Sequence, residues 1–409
     1  MAEENRQNKQ TKWLCLGESV RGASHKRTGL PNQDAISWWP QKAVSPYLGE
    51  GPPLILAVSD GHGSPKNFRS DVGSQKAVEI ATTVIGDFFL EGESEVENFS
   101  TIKDKAQNLL PQRLAHEWKK SVEKHWEKSP VTEEEWERVM REGGSSTRQA
   151  IEENPSIAYG ATLLAVLVTA PFILYLQLGD GDILCVDSSG KTTRPLKRDP
   201  RLIANETTSL CTSNAWREFQ VSLVSYQESP SDGMPTLILV ATDGYANSYP
   251  SEEEFIKIGQ DYREMSRQNG IIGVWKQLEH FLKETSAKGS GDDITLGIIS
   301  RIEEGDWDYQ NKRITANHEE LVRHRDIMNT QQEQITDVDN RIKRLSKQQK
   351  KTGKALLLLL IGLIVTFPLA LFSTVVSGVL YFRSEKMQSD LENLKQDKQT
   401  LSETENSTN

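Results

Sequence analysis

The chain has 409 residues, with 48 Lys and Arg against 58 Asp and Glu, a formal charge of −10. Hydrophobic residues at 36% and charged residues at 26% suit a globular protein and exclude a wholly disordered one. The acidic balance excludes a protein that wraps nucleic acid, because a phosphate backbone demands basic stripes.

In chain order, residues 1–10 are polar and read as a disordered N-terminus, without the apolar stretch of a secretory signal. Residues 11–303 alternate apolar runs with turn signals. Runs rich in β-branched and large apolar residues predict strands at Leu54–Ser59, Thr162–Val168, Phe172–Leu178, Ile183–Val186, Thr236–Ala241 and Ile294–Ile299. Helical spacing predicts helices over Ser74–Phe89 and Leu109–Trp126, the second carrying Leu110, Leu114, Trp118 and Val122 on one face. Strands outnumber helices and do not alternate with them in βαβ order. The expected class is α+β, sheets packed on each other and covered by helices. Cys15, Cys185 and Cys211 are odd in number and far apart, which predicts reduced thiols and neither a disulfide framework nor a zinc site.

Residues 310–354 are strongly polar and helical in character. Leu321, Met328, Ile335 and Ile342 recur every seven residues, with Val338 and Leu345 between them in the second half. The zone reads either as a coiled coil, which would make a homodimer, or as one solvated helix. Residues 355–382 carry no charge, and at about 1.5 Å per residue they exceed the roughly 30 Å hydrocarbon core, so they predict one transmembrane helix with Pro368 near its middle. Arg341, Lys343, Arg344, Lys347, Lys350, Lys351 and Lys354 precede that run. Arg383 and Lys386 follow it, then Asp390 and Glu392. This asymmetry predicts a single-pass protein of the cell membrane, with the large domain in the cytoplasm and a polar tail, 383–409, outside.

The chemistry lies in aspartates at strand ends. Asp60 follows LILAVS and precedes Gly-His-Gly; Asp180 follows FILYLQLG; Asp243 follows TLILVAT. Asp292 and Asp293 precede ITLGII, and Asn32-Gln33-Asp34 precedes Ala35-Ile36. One Asp-Gly after a strand is usually a turn. Several in this context project carboxylates towards one cavity, with the glycines allowing tight turns and the approach of a ligand. Crowded carboxylates repel one another unless cations neutralise them, and hard oxygen donors favour Mg²⁺ or Mn²⁺.

The pieces NQDA at 32–35, AVSDGHG at 57–63, YGATLL at 159–164, LGDGD at 178–182, ATDGYANS at 241–248 and GSGDDITL at 289–296 resemble, in order, the protein phosphatase 2C-like family, and most of all its bacterial branch. The resemblance implies a β-sandwich of two antiparallel sheets flanked by helices, and a metal-dependent protein serine/threonine phosphatase acting on phosphorylated protein substrates opposite a kinase. It implies two Mn²⁺ or Mg²⁺ ions that activate a water for in-line attack on phosphorus. It implies that Asp60 bridges both ions with the Gly61 carbonyl as a further ligand, that Asp243 and Asp292 hold the first ion, and that Asp34 serves the second. His62 is a candidate acid for the leaving oxygen, or else a histidine that orients water. Many relatives carry a phosphate-gripping arginine where this chain has Gly29, which leaves Arg27, His25 and Lys26 as candidates. Many also have an aspartate where Asn247 stands, so a third ion at Asp180 should bind weakly. The segment 191–235 matches the family's flap beside the active site, or is a plain surface insertion. The alternative to an enzyme is a binding or signalling module at the membrane that kept the fold and lost efficient catalysis.

Overall fold

The computed structural model describes residues 12–42, 45–94, 98–198, 208–226 and 234–302. The heptad zone 310–354, the apolar run 355–382, the tail 383–409 and residues 1–10 lie outside the described residues. Among the described residues no helix is long and apolar enough to cross a membrane.

The strands are β1 Lys12–Val20, β2 Ala35–Trp39, β3 Gln41–Lys42, β4 Ser45–Gly51, β5 Leu54–Ser59, β6 Leu163–Val168, β7 Phe172–Leu178, β8 Asp182–Val186, β9 Thr192–Thr193, β10 Gln220–Ser225, β11 Leu237–Ala241 and β12 Ile294–Ile302. The helices are α1 Ala23–Thr28, α2 Ser70–Ser94, α3 Phe99–Asn108, α4 Leu110–Lys128, α5 Glu133–Glu153, α6 Asp243–Ala246, α7 Glu252–Ile256 and α8 Ile258–Lys288. One sheet has the order β3-β4-β1-β12-β11-β8-β9 and the other β10-β7-β6-β5-β2. Every pairing in both is antiparallel. The α+β sandwich expected from the sequence is therefore the observed architecture.

The unbroken apolar runs of β5 and β6 have a simple cause: both faces of the five-stranded sheet are covered. Leu54, Leu56 and Val58 of β5, with Leu164, Val166 and Val168 of β6, enter the core between the sheets, where Ile238, Val240 and Ile299 meet them. Ile55, Ala57, Leu163, Ala165 and Leu167 point the other way, under Val78, Ile85, Leu114 and Trp118 of the helices. Alternation is lost because neither side meets water. Each buried Leu, Ile or Val contributes about 1.5–3 kcal/mol of transfer free energy. On the opposite flank α8 packs against β1, β8, β11 and β12. It is interrupted at Gly270, whose φ of 69° no helical residue adopts, and this break explains why its periodicity escapes the sequence reading.

Helix α4 packs on α2, α3 packs on α4 and β10, and α5 packs on the turns at Pro65–Asn67 and Pro155–Tyr159. The Trp118 indole N–H donates to the Gly73 carbonyl at 2.9 Å, and Trp126 meets Trp136 edge-on at 6.3 Å. These tryptophans are helix-packing residues, as their spacing suggests. Arg69, at the head of α2, donates two hydrogen bonds to Glu135 at 2.9 and 3.0 Å and one to the Ser129 carbonyl at 2.7 Å. Glu135 is also the third residue of α5, where Thr132 caps it in a reciprocal box. Thr132→Ala removes the cap and loosens Glu135 from Arg69. It should lower stability by about 1 kcal/mol in denaturant titrations.

Candidate active site

The strand registers bring the aspartates of each sheet to one end. In the five-stranded sheet Ala35 pairs with Ser59, so Asp34 and Asp60 flank the same end of β2 and β5. Leu163 pairs with Leu178, which puts Asp180, two residues on, at that end too. In the seven-stranded sheet Ala241 pairs with Leu296 and Val20 with Ile294, so Asp243, Asp292 and Asp293 share an end. The two ends are tied together: the Thr242 hydroxyl donates to Asp34 Oδ2 at 2.7 Å, and the Thr295 N–H donates to the Thr242 hydroxyl at 2.9 Å.

Local bonds fix each carboxylate's backbone. The Asp60 N–H donates to the Thr162 hydroxyl at 2.9 Å, and the Thr162 N–H returns a bond to the Asp60 carbonyl at 2.8 Å. This exchange is why Thr162 sits just outside β6 and not inside it. The loop before Asp34 is held by α2: Ser74 donates to the Gln33 carbonyl at 2.5 Å, and the Gln33 amide donates to Ser70 at 2.6 Å. The glycines beside the aspartates do not make room for a ligand, as the sequence suggested. A Cβ on Gly61 would lie 2.5 Å from the Gln33 carbonyl oxygen, and one on Gly244 would strike the Asp293 carbonyl. Their role is close packing of backbone on backbone.

The carboxylates feel one another. Burial raises Asp60 well above the carboxylate range, and the charges of Asp243, Asp34, Asp180 and Asp292 raise it further. Asp34 is pushed up to about 8 by burial and then by Asp293, against the hydrogen bonds of Thr242 and Thr295. Asp243 is pushed up to about 7 by burial, Asp180 and Asp292, against the Gly244 N–H and Asn247. Asp180 thus stands within electrostatic reach of Asp60 and Asp243. Asp182, by contrast, is a structural residue, 2.6 Å from Arg194.

Among the described residues no three His, Cys, Asp or Glu side chains converge into a ready-made cation site. The donor set nonetheless fits Mg²⁺ or Mn²⁺ in its chemistry. It is all oxygen, it comes from five strand ends, and Asp34, Asp60 and Asp243 are perturbed by like charge, which a divalent cation relieves.

The histidines take different places. Burial lowers His62 to about 4, Asp180 opposing and Lys66 adding to the fall. Its buried Nε2 has no hydrogen-bond partner among the described residues. His25, on α1, lies against Asp292 and Asp293 and not towards solvent. Arg27 is exposed at the end of α1, and Gly29 closes that helix with φ 80°. Lys66 is a cation the sequence reading missed; it is exposed, four residues after His62, and its charge also reaches Cys211. All three cysteines are free. In the segment 191–235 the Leu210 N–H donates to the Ala161 carbonyl at 2.9 Å, and Ala161 bridges to Gly61. Leu210 therefore borders the strand end that carries Asp60.

Asn247 donates from Nδ2 to Asp243 Oδ2 at 2.9 Å. Where an aspartate would add charge, this chain places a donor that steadies a neighbouring carboxylate. Asn247→Asp should reverse both effects. Two carboxylates side by side should lower stability in EDTA by about 1 kcal/mol or more and enlarge the rise in melting temperature on adding Mn²⁺. Thermal melts with and without Mn²⁺ measure both.

The protein phosphatase 2C model matches residues 21–283, more than half of the chain. Asp292 lies past that span, so its place in the site rests on the register of β12. No curated protein sequence matches. Similar solved structures include PppA of Pseudomonas aeruginosa, described as a key regulatory component of its T6SS (16% identity, 71% of this chain and 98% of that one, TM-score 0.42). Another is the catalytic domain of the serine/threonine protein phosphatase PstP with two manganese ions (15%, 72% and 100%, TM-score 0.38). A third is the serine/threonine phosphatase Stp1 of Staphylococcus aureus (14%, 71% and 94%, TM-score 0.40).

Proposed function

The chain belongs to the protein phosphatase 2C family, and from that premise we propose that it hydrolyses phosphoserine and phosphothreonine in proteins, using two Mn²⁺ or Mg²⁺ ions. The observation that supports this best is the mutual perturbation of Asp34, Asp60 and Asp243 by carboxylates drawn from both sheets. Asp60 and the Gly61 carbonyl would serve both ions, Asp243 and Asp292 the first, and Asp34 the second. Bound there, the ions supply Lewis-acid activation and neutralise phosphate charge.

The chain's own side chains do the rest. Thr242 aims Asp34, Asn247 aims Asp243, and Thr162 fixes the backbone of Asp60. His62, lowered to about 4, is neutral at physiological pH. It therefore offers a hydrogen bond and not a proton, which favours the orienting role over the general acid. With His25 set against Asp293, Lys26, Arg27 and Lys66 are the cations left as candidates to face the phosphate. Asp180, held close to Asp60 and Asp243 while Asn247 carries no charge, suits at most a weakly bound third ion.

The same proposal sets residues 11–303 as the catalytic domain, 310–354 as a helical linker and 355–382 as the membrane anchor, with the catalyst on the cytoplasmic side. An anchor raises the effective concentration of the catalyst near membrane substrates. A serine/threonine kinase acting on the same targets is the natural counterpart, and pairing of the heptads would make a homodimer.

Purified full-length protein given a phosphothreonine peptide should release phosphate in Mn²⁺ and stop in EDTA. Folded protein that is silent with every divalent cation would shift the reading to a binding module, with Gly29 as the leading reason.

A further inference from the structure

Of the two aspartates before β12, the first is half-exposed and the second is 3% exposed. Asp293 Oδ1 accepts the Gly22 N–H at 2.6 Å, and its Oδ2 accepts the Gln33 N–H at 2.6 Å. One buried carboxylate thus joins three segments: the turn into α1, the loop ahead of β2, and the start of β12. Asp34 follows Gln33, and Asp292 precedes Asp293, so this carboxylate is one peptide removed from each. A further bond binds the pair, from the Asp293 N–H to Asp292 Oδ1 at 2.9 Å.

His25 completes the arrangement. Its Nδ1 lies 2.9 Å from Asp293 Oδ2, in contact but off the line of a hydrogen bond, and its Nε2 lies 3.6 Å from Asp292 Oδ1. The ring is only 13% exposed. Its helix is sewn to the same segment: the Ala23 N–H donates to the Ser286 hydroxyl at 3.0 Å, and the Ser24 N–H to the Gly291 carbonyl at 2.8 Å. These bonds fix the backbone that holds the ring against Asp292 and Asp293.

We infer that His25 and Asp293 are positioning residues, which set the spacing of Asp34 and Asp292 and so the affinity for the divalent cation, and that His25 does not grip phosphate. The inference rests on the phosphatase reading and adds a division of labour to it. Partners that orient ligating groups from behind are worth about 10- to 100-fold in metal affinity.

The test is calorimetric titration of Mn²⁺ into the full-length protein and its His25→Ala, His25→Asn and His25→Gln variants. KM for p-nitrophenyl phosphate is then measured at saturating Mn²⁺. His25→Ala should weaken Mn²⁺ about 10- to 100-fold while KM stays unchanged. His25→Asn, whose amide nitrogen falls near the place of Nδ1, should recover most of the loss. His25→Gln, which reaches towards the place of Nε2, should not. Unchanged Mn²⁺ affinity in His25→Ala, a raised KM at saturating Mn²⁺, or rescue by Gln as good as by Asn would each overturn the inference. Wild-type protein that binds no Mn²⁺ would remove the metal reading along with it.

Discussion

Asp60→Asn is expected to lower hydrolysis of a phosphothreonine peptide by on the order of 10³-fold, the kinetic equivalent of the several kcal/mol that a bound cation supplies to charge development. Among the described aspartates Asp60 is the one raised by four others, Asp243, Asp34, Asp180 and Asp292, so it stands at the centre of the set. The amide preserves size and removes charge. The same change should make the protein more resistant to denaturant in EDTA, because it relieves like-charge repulsion among buried groups. Loss of activity with gain of stability is the signature of a site that is strained for a purpose. Asp180→Asn should cost much less, since Asn247, which bonds Asp243, adds no second charge for a third ion. Steady-state rates and urea melts of both variants decide the matter. An active Asp60→Asn protein would remove the central ligand from the proposal.

In EDTA, stability should fall as pH rises from 6.5 to 8.5, and Mg²⁺ should abolish that fall. In the folded chain Asp243 titrates at about 7 and Asp34 at about 8, against an ordinary 3.8. Across the interval from 3.8 to these values the folded state holds protons that the unfolded chain has released. The stabilisation is complete below pH 3.8 and is lost as pH climbs through 7 and 8. His62 has the opposite sign: lowered from 6.5 to about 4, it adds stability as pH rises between those values. Starting at pH 6.5 separates the two. The loss should be on the order of a few kcal/mol, given about 1.4 kcal/mol per pKa unit. A cation that keeps the carboxylates ionised removes the difference. A flat EDTA curve over this interval would mean that the carboxylates are not crowded in solution.

The α+β class and the candidate aspartates were legible in the sequence; the order of the strands was not. Asp60, Asp180 and Asp243 were visible in the sequence because an apolar run that gives way to Asp-Gly breaks its own pattern, whereas Asp34, Asp292 and Asp293 stand ahead of theirs. The runs LILAVS and FILYLQL mark β5 and β7 to the residue. Topology was not legible from these runs, since a strand covered on both faces says nothing of which neighbour it pairs with. β1, with the register Lys12 to Ile302 through Val20 to Ile294, has no local signal for a partner so far along the chain. Helix α5 did leave a sign, the Thr132-x-x-Glu135 box, that the apolar periodicity overlooked. Asp293 was read with Asp292 as one motif. Only the backbone bonds to Gly22 and Gln33, from segments far apart in sequence, separate a ligand candidate from a fastener.

The place of β12 between β1 and β11 has a consequence for how the protein comes into being on the ribosome. The first strand of the domain waits for its last, and Gly22 and Asp293 bond across 271 positions. Until the final segment emerges, the edges of β1 and β11 offer unpaired N–H and C=O groups to any passing strand. Such long-range closure is also slow. Asp292 is delivered by the same few residues that close the sheet. A nascent chain halted before residue 292 therefore has neither the closed sheet nor the full set of carboxylates, and it gains both in one step.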